Sequence, residues 1–163
     1  MDFPNGKRNT ALAVASSNGQ VETSRFLIDQ GAIVLASDDE GWIPLHFASL
    51  YGHLNVVRLL FDHGADINSR KAEFWTPLHI VSVHGHLKVG GLLLVVERGA
   101  DIHNRTSGQE TPLHRASEHE MLEVVRFLIK CDSNGSNVDF RNSEGRTPSH
   151  ATAHEGRRSV LTS

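Results

Sequence analysis

The chain has very little of several things. It holds one cysteine, Cys131, in 163 residues, so no disulfide within the chain can build or brace the fold. That scarcity also fits a reducing compartment. Its longest apolar run, Leu92 to Val96, is far short of the roughly 18 residues that a membrane span needs. The first residues, Met1 to Arg8, end in Lys7-Arg8 with no apolar signal core behind them. The expectation is an intracellular protein, cytoplasmic or nuclear, that is neither secreted nor membrane-bound. Charge of one sign is missing too: 16 Lys and Arg stand against 19 Asp and Glu, a net of -3. Nucleic-acid binding usually calls for a basic surplus, so it is not expected. No glycine-rich phosphate loop, nucleophile elbow or His-Glu-x-x-His zinc helix occurs.

What is present is ordinary globular material and one unusual count. Hydrophobic residues are 39% of the chain, and its 14 glycines bring the apolar share to the usual globular range. Disorder is therefore not the default state. Eleven histidines are unusual.

Many of these histidines fall at a fixed period. Ile43-Pro44-Leu45-His46, Thr76-Pro77-Leu78-His79, Thr111-Pro112-Leu113-His114 and Thr147-Pro148-Ser149-His150 are versions of one phrase. Thr10-Ala11-Leu12-Ala13 is a weaker first version. The steps are 33, 33, 35 and 36 residues. A Gly-Ala phrase runs in phase at Gly31-Ala32, Gly64-Ala65 and Gly99-Ala100. A turn glycine does the same at Gly19, Gly52 and Gly85. Thr at the head of each phrase can cap a helix, and Pro in the first turn gives up a donor that the helix does not use. Pro44 to Tyr51 reads as one helix, broken by Gly52. Leu54, Val57, Leu60 and Phe61 recur at helical spacing and give a second helix, which Gly64 ends. Neither helix can bury its apolar face alone, so adjacent units must cover it.

These phrases resemble the ankyrin repeat family, whose signature is Thr-Pro-Leu-His-x-Ala every 33 residues. The resemblance covers the chain from about Asn9 onward. It implies an all-α solenoid: a right-handed stack of helix–turn–helix units joined by β-hairpin-like loops. The expected organisation is a single domain, 1–163, with units near 9–41, 42–74, 75–109, 110–145 and a partial 146–163. Departures from the pattern sharpen the expectations. Two extra residues near Leu94 to Glu97, with Gly90-Gly91 before them, predict a distorted third outer helix. Glu120 stands where a turn glycine is due. Three extra residues near Asp132 to Ser136 predict a loop.

The resemblance gives most histidines scaffold work. It implies that His46, His79, His114 and His150 bond backbone between units. They form a ladder, whereas zinc wants three or four converging ligands. No metal, cofactor or catalytic residue is expected. Cys131 reads as a packing or loop residue, and Asn68 as a hydrogen-bonded turn residue at a position that family members can hydroxylate.

The implied function is protein–protein interaction, as an adaptor or scaffold, through a concave face of loop tips and inner helices. Trp42 and Trp75, one period apart, lead the candidates, because Trp is enriched among interface anchors. The same position can instead stack on the next unit's loop. Asp39, Glu40, Tyr51, Glu73, His84, Glu110 and His119 join them by register, as do Leu50, His63, Val83, Arg98 and Glu118. The expected partner is a protein, bound by a monomer. Two alternatives remain open: part of a larger ankyrin-containing signalling protein or enzyme, or a decayed array with no selected partner.

Overall fold

The computed structural model describes residues 10–95, 99–133 and 135–150. Among the described residues, eight α-helices come in pairs. The first pair is α1 (Ala11–Ser17) and α2 (Val21–Asp29), followed by α3 (Pro44–Leu50) and α4 (Leu54–Asp62). Next come α5 (Pro77–His84) and α6 (Leu87–Val95), then α7 (Pro112–Glu118) and α8 (Leu122–Cys131). Helical backbone resumes at 148–150. Each odd-numbered helix packs on the next odd one, and each even one on the next even one, so two helical layers run along the stack. The odd layer is called inner here, and the even layer outer.

The repeated phrase builds the start of each inner helix. Thr10 and Thr111 cap α1 and α7, each hydroxyl accepting from the backbone N–H three residues on. The phrase's Leu lies at the centre of the core. Leu12, Leu45, Leu78 and Leu113 are essentially inaccessible to solvent, and Val56, Leu60, Leu93 and Leu128 of the outer layer are equally buried. Ser149, which stands in the same place in the last phrase, is exposed.

Between pairs the chain makes a projecting finger, closed by one backbone bond. Asp38, Lys71, Thr106 and Asn142 each donate an N–H to the carbonyl four residues on. Adjacent fingers are then stitched together: Ala72 N–H to Glu40 O, Ser107 N–H to Glu73 O and Ser143 N–H to Gly108 O. These are the β-hairpin-like loops implied by the sequence, although no strand forms among the described residues.

The third outer helix is regular as far as it is described, Gly90-Gly91 included. α6 runs without a break from Leu87 to Val95. Ala32 and Ala65 donate their N–H to Leu27 O and Leu60 O, and Ala100 does the same to Leu93 O at 2.7 Å across two more residues. The closing bond thus survives the insertion, spanning two more residues than in the first two units. Residues 96 and 97, part of the expected distortion, lie outside the described residues. The loop after α8 is present as expected, and it leads into a 3₁₀ turn at Ser136–Asp139. The replacement at Glu120 is also real: it takes φ 56°, where Gly52 and Gly85 take 73°.

Candidate functional site

The scaffold histidines come first, because they fix the surface on which any site stands. In α5 the Nδ1 of His79 accepts from Thr76, from its hydroxyl at 2.8 Å and its N–H at 3.3 Å. Its Nε2 donates to Glu110 O, in the next finger, at 3.1 Å. A carbonyl only accepts, so the ring is the neutral Nε2–H tautomer. His114 repeats this with Thr111 and Arg146 O. His46 repeats it with Ile43 N–H and Ser69 O. Burial pushes the pKa of His46 and of His79 down to about 4, and lowers that of His114. A second ladder runs the other way along the chain. His53 Nε2 donates to Ser17 O and His86 Nε2 to Leu50 O. The rings of His53 and His86 lie against the turn glycines Gly19 and Gly52 of the preceding units. No group of three or more possible metal ligands converges among the described residues.

The fingers and inner helices carry the candidates. Trp42 and Trp75 are half-buried. Trp42 stacks on Phe47 at 5.1 Å between ring centroids, and Trp75 lies beside His79. Lys71 joins the two: its Nζ is 4.7 Å from the Trp42 ring and 5.3 Å from the Trp75 ring. On its other side Trp75 meets the Arg115 guanidinium at 4.7 Å. Arg115 is itself held by Glu110 at 3.2 Å and Glu118 at 2.5 Å. The result is a row alternating ring and cation, Trp42, Lys71, Trp75, Arg115, across three units. Each such contact contributes about 0.5–1 kcal/mol where water has access.

The remaining candidates separate into two groups. Asp39, Glu40 and Glu73 are exposed on the fingers, and Glu110 is half-buried in its ion pair. Tyr51, His84 and His119 are exposed at the far ends of the inner helices, about 10 Å from the Trp row by the helix rise. His84 stacks on His86 at 6.2 Å. Its pKa is lowered first by burial and then by the neighbouring His86 and His119. His63 is corrected: it caps the outer helix α4 and bonds Leu59 O, so it belongs to neither a finger nor an inner helix. Arg98 lies outside the described residues. Cys131 is the last residue of α8 and is exposed, which corrects its reading as a packing residue. It borders an open cavity of about 450 Å³ with Leu94, Val95, Ile102 and Phe127.

Two residues that sequence reasoning passed over stand out. Lys71 occupies the finger position where Asp38 and Asn142 accept backbone N–H bonds. Phe74 occupies the position of Gly41 and Gly145, with φ 60°, and is 54% exposed. Aligning the four fingers residue by residue is the signal that finds both.

No helix among the described residues is long and apolar enough to cross a membrane. A comparison with curated proteins finds no match. The family model described as ankyrin repeats, in three copies, matches residues 1–71 and 69–142. That match spans most of the sequence and coincides with the paired helices, the fingers and the histidine ladder, so the chain belongs to the ankyrin repeat family.

Proposed function

We infer that this chain docks a partner protein on the face formed by its fingers and inner helices. Ankyrin repeats are protein–protein interaction modules in general. The observation that carries the finer reading is the Trp42–Lys71–Trp75–Arg115 row. It spans three units, and its Trp and Arg members are of the types most enriched at interface anchors. The rings are already held by their cations and by Phe47, so little side-chain freedom is lost when a partner covers them. Asp39, Glu40 and Glu73 would meet the partner's rim, where charge tunes encounter rate more than affinity. Binding by a single-domain monomer with no catalytic role is the simplest form of this reading.

The test is affinity capture from a lysate of the source cells, read by mass spectrometry. The native chain is compared with a Trp42→Ala/Trp75→Ala variant whose circular dichroism matches it. A protein held by the native chain and lost by the variant supports the reading. Equal capture by both overturns it.

A further inference from the structure

Fingers are numbered by the helix pair they lead into, so that 38–42 is the second and 71–75 the third. The third departs from the others at two positions. A finger needs an acceptor at its base and a residue at positive φ near its end. Asp38 supplies the acceptor in the second finger, taking the N–H groups of Glu40 and Trp42 at 2.9 Å each. Asn142 does the same for Glu144 and Arg146, and Thr106 for Glu110. In the third finger this position is Lys71, whose ammonium only donates. The positive-φ position is Gly41 at 79° and Gly145 at 74°, with Gln109 at 59°. In the third finger it is Phe74 at 60°, immediately after Glu73 at 61°. A bulky side chain is an outlier in that region, and two left-handed residues in succession compound the strain.

Phe74 adds nothing to the core. It points to solvent, with 54% of its surface exposed. What the replacements create is a surface. The Arg70 guanidinium lies 5.7 Å from the centre of the Phe74 ring, Lys71 bridges the two Trp rings, and Arg105 stands in Arg70's place one unit on. Arg70 gives one bond to Asn104 Oδ1 at 2.7 Å, which uses one of a guanidinium's five donors. Arg141 continues the same register in the next finger. Charge changes sign along the fingers: the second exposes Asp39 and Glu40, whereas the third holds Arg70 and Lys71 against Glu73.

Resting on the concave-face reading above, we propose that the third finger docks an acidic segment of a partner protein, with Phe74 as its apolar anchor. Arg70 and Arg105 take the segment's carboxylates, and Phe74 takes an apolar side chain between them. The acids of the second finger repel such a segment and direct it toward the third and later fingers. The spacing suits an extended chain. Packed helices lie about 8–10 Å apart, and every third residue of a polyproline II chain lies on one side of it and advances about 9 Å. Successive arginines, one per unit, thus meet every third residue of the segment.

The probes are three labelled synthetic peptides of equal length, with repeating Leu-Glu-Glu, Ser-Glu-Glu or Leu-Lys-Lys, titrated against the whole chain by fluorescence anisotropy. The expected order is Leu-Glu-Glu tighter than Ser-Glu-Glu, with no binding of Leu-Lys-Lys and weakening as salt is raised. Phe74→Gly weakens Leu-Glu-Glu binding about tenfold, as loss of an anchor does. The same variant keeps or raises the thermal midpoint, because glycine is native at this position in two other fingers. Arg70→Gln weakens binding and flattens its salt dependence. Equal affinity in Phe74→Gly, preference for Leu-Lys-Lys, or a lowered thermal midpoint in Phe74→Gly overturns the proposal. The two readings fail separately. A protein that depends on the Trp pair but is retained by Phe74→Gly leaves the concave face standing and removes the finger as its anchor.

Discussion

Val81 of α5 crowds any side chain on Gly90 of α6: a Cβ there would lie 3.2 Å from Val81 Cγ1, so one of the two would have to shift. The corresponding positions in the other units are Ala15 with Ser24, Ala48 with Val57, and Ala116 with Val125. In each of those the small residue sits on the inner helix. In the third unit the sizes are exchanged. The glycine that looks destructive in sequence is one half of a compensated pair.

The exchange predicts strong coupling. Gly90→Val alone overpacks the interface and costs about 1–3 kcal/mol. Val81→Ala alone leaves a void and costs about 2 kcal/mol. Val81→Ala/Gly90→Val restores the arrangement of the second and fourth units, and it also removes a helix-interior glycine. Its stability in urea unfolding should equal or exceed that of the native chain. Simple addition of the two single penalties would show that the residues are not a packing pair.

The turn after each inner helix predicts a graded series. Glu120 holds φ 56° without being glycine, so Glu120→Gly relieves strain and stabilises by about 1 kcal/mol. Gly52→Ala acts oppositely and harder. Its Cβ would stand 2.6 Å from His86 Nδ1, and that ring is pinned by its bond to Leu50 O. Gly85→Ala meets only the Met121 thioether, at 2.7 Å, and methionine can move aside. Thermal midpoints should therefore fall in the order Glu120→Gly, native, Gly85→Ala, Gly52→Ala. Equal losses for the two Ala variants would remove the ring contact as the reason.

The buried histidines predict acid sensitivity. His46 and His79 have folded pKa values of about 4, against an ordinary 6.5, because burial disfavours the charged ring. The unfolded chain takes up these protons first. Their contribution is complete above pH 6.5 and is lost as pH falls toward 4. Together they make the chain less stable by roughly 4 kcal/mol at pH 5 than at pH 7. That is a large share of a typical domain's total. Denaturant unfolding at the two pH values measures it, and His46→Gln/His79→Gln should flatten the difference. A native chain equally stable at both would refute the assignment of these rings.

Asn68 predicts a link between units. Its Oδ1 accepts from Asp101 N–H at 3.0 Å and from Asn104 Nδ2 at 3.2 Å. Asn68→Ala removes both bonds and costs about 1–2 kcal/mol. Asn68→Asp keeps the acceptor and should lie nearer the native value. Amide exchange at Asp101 reads the bond directly: it should quicken in Asn68→Ala and not in Asn68→Asp.

The sequence by itself determined the period, the paired helices, the core Leu of each phrase and the turn glycines. Those signals are local: a cap, a proline and an apolar stripe act within one or two helical turns, and a period of about 33 copies them along the chain. The scaffold role of His46 and His79 followed from the resemblance to the ankyrin family that this repetition carries. The tertiary structure alone decided what passes between units. It seated Lys71 between Trp42 and Trp75, matched Val81 to Gly90, and kept the Ala100–Leu93 bond across the two-residue insertion. It also turned Phe74 outward. Each of these depends on how residues of different helices or fingers meet in space, and only the stacking of one unit on the next fixes that.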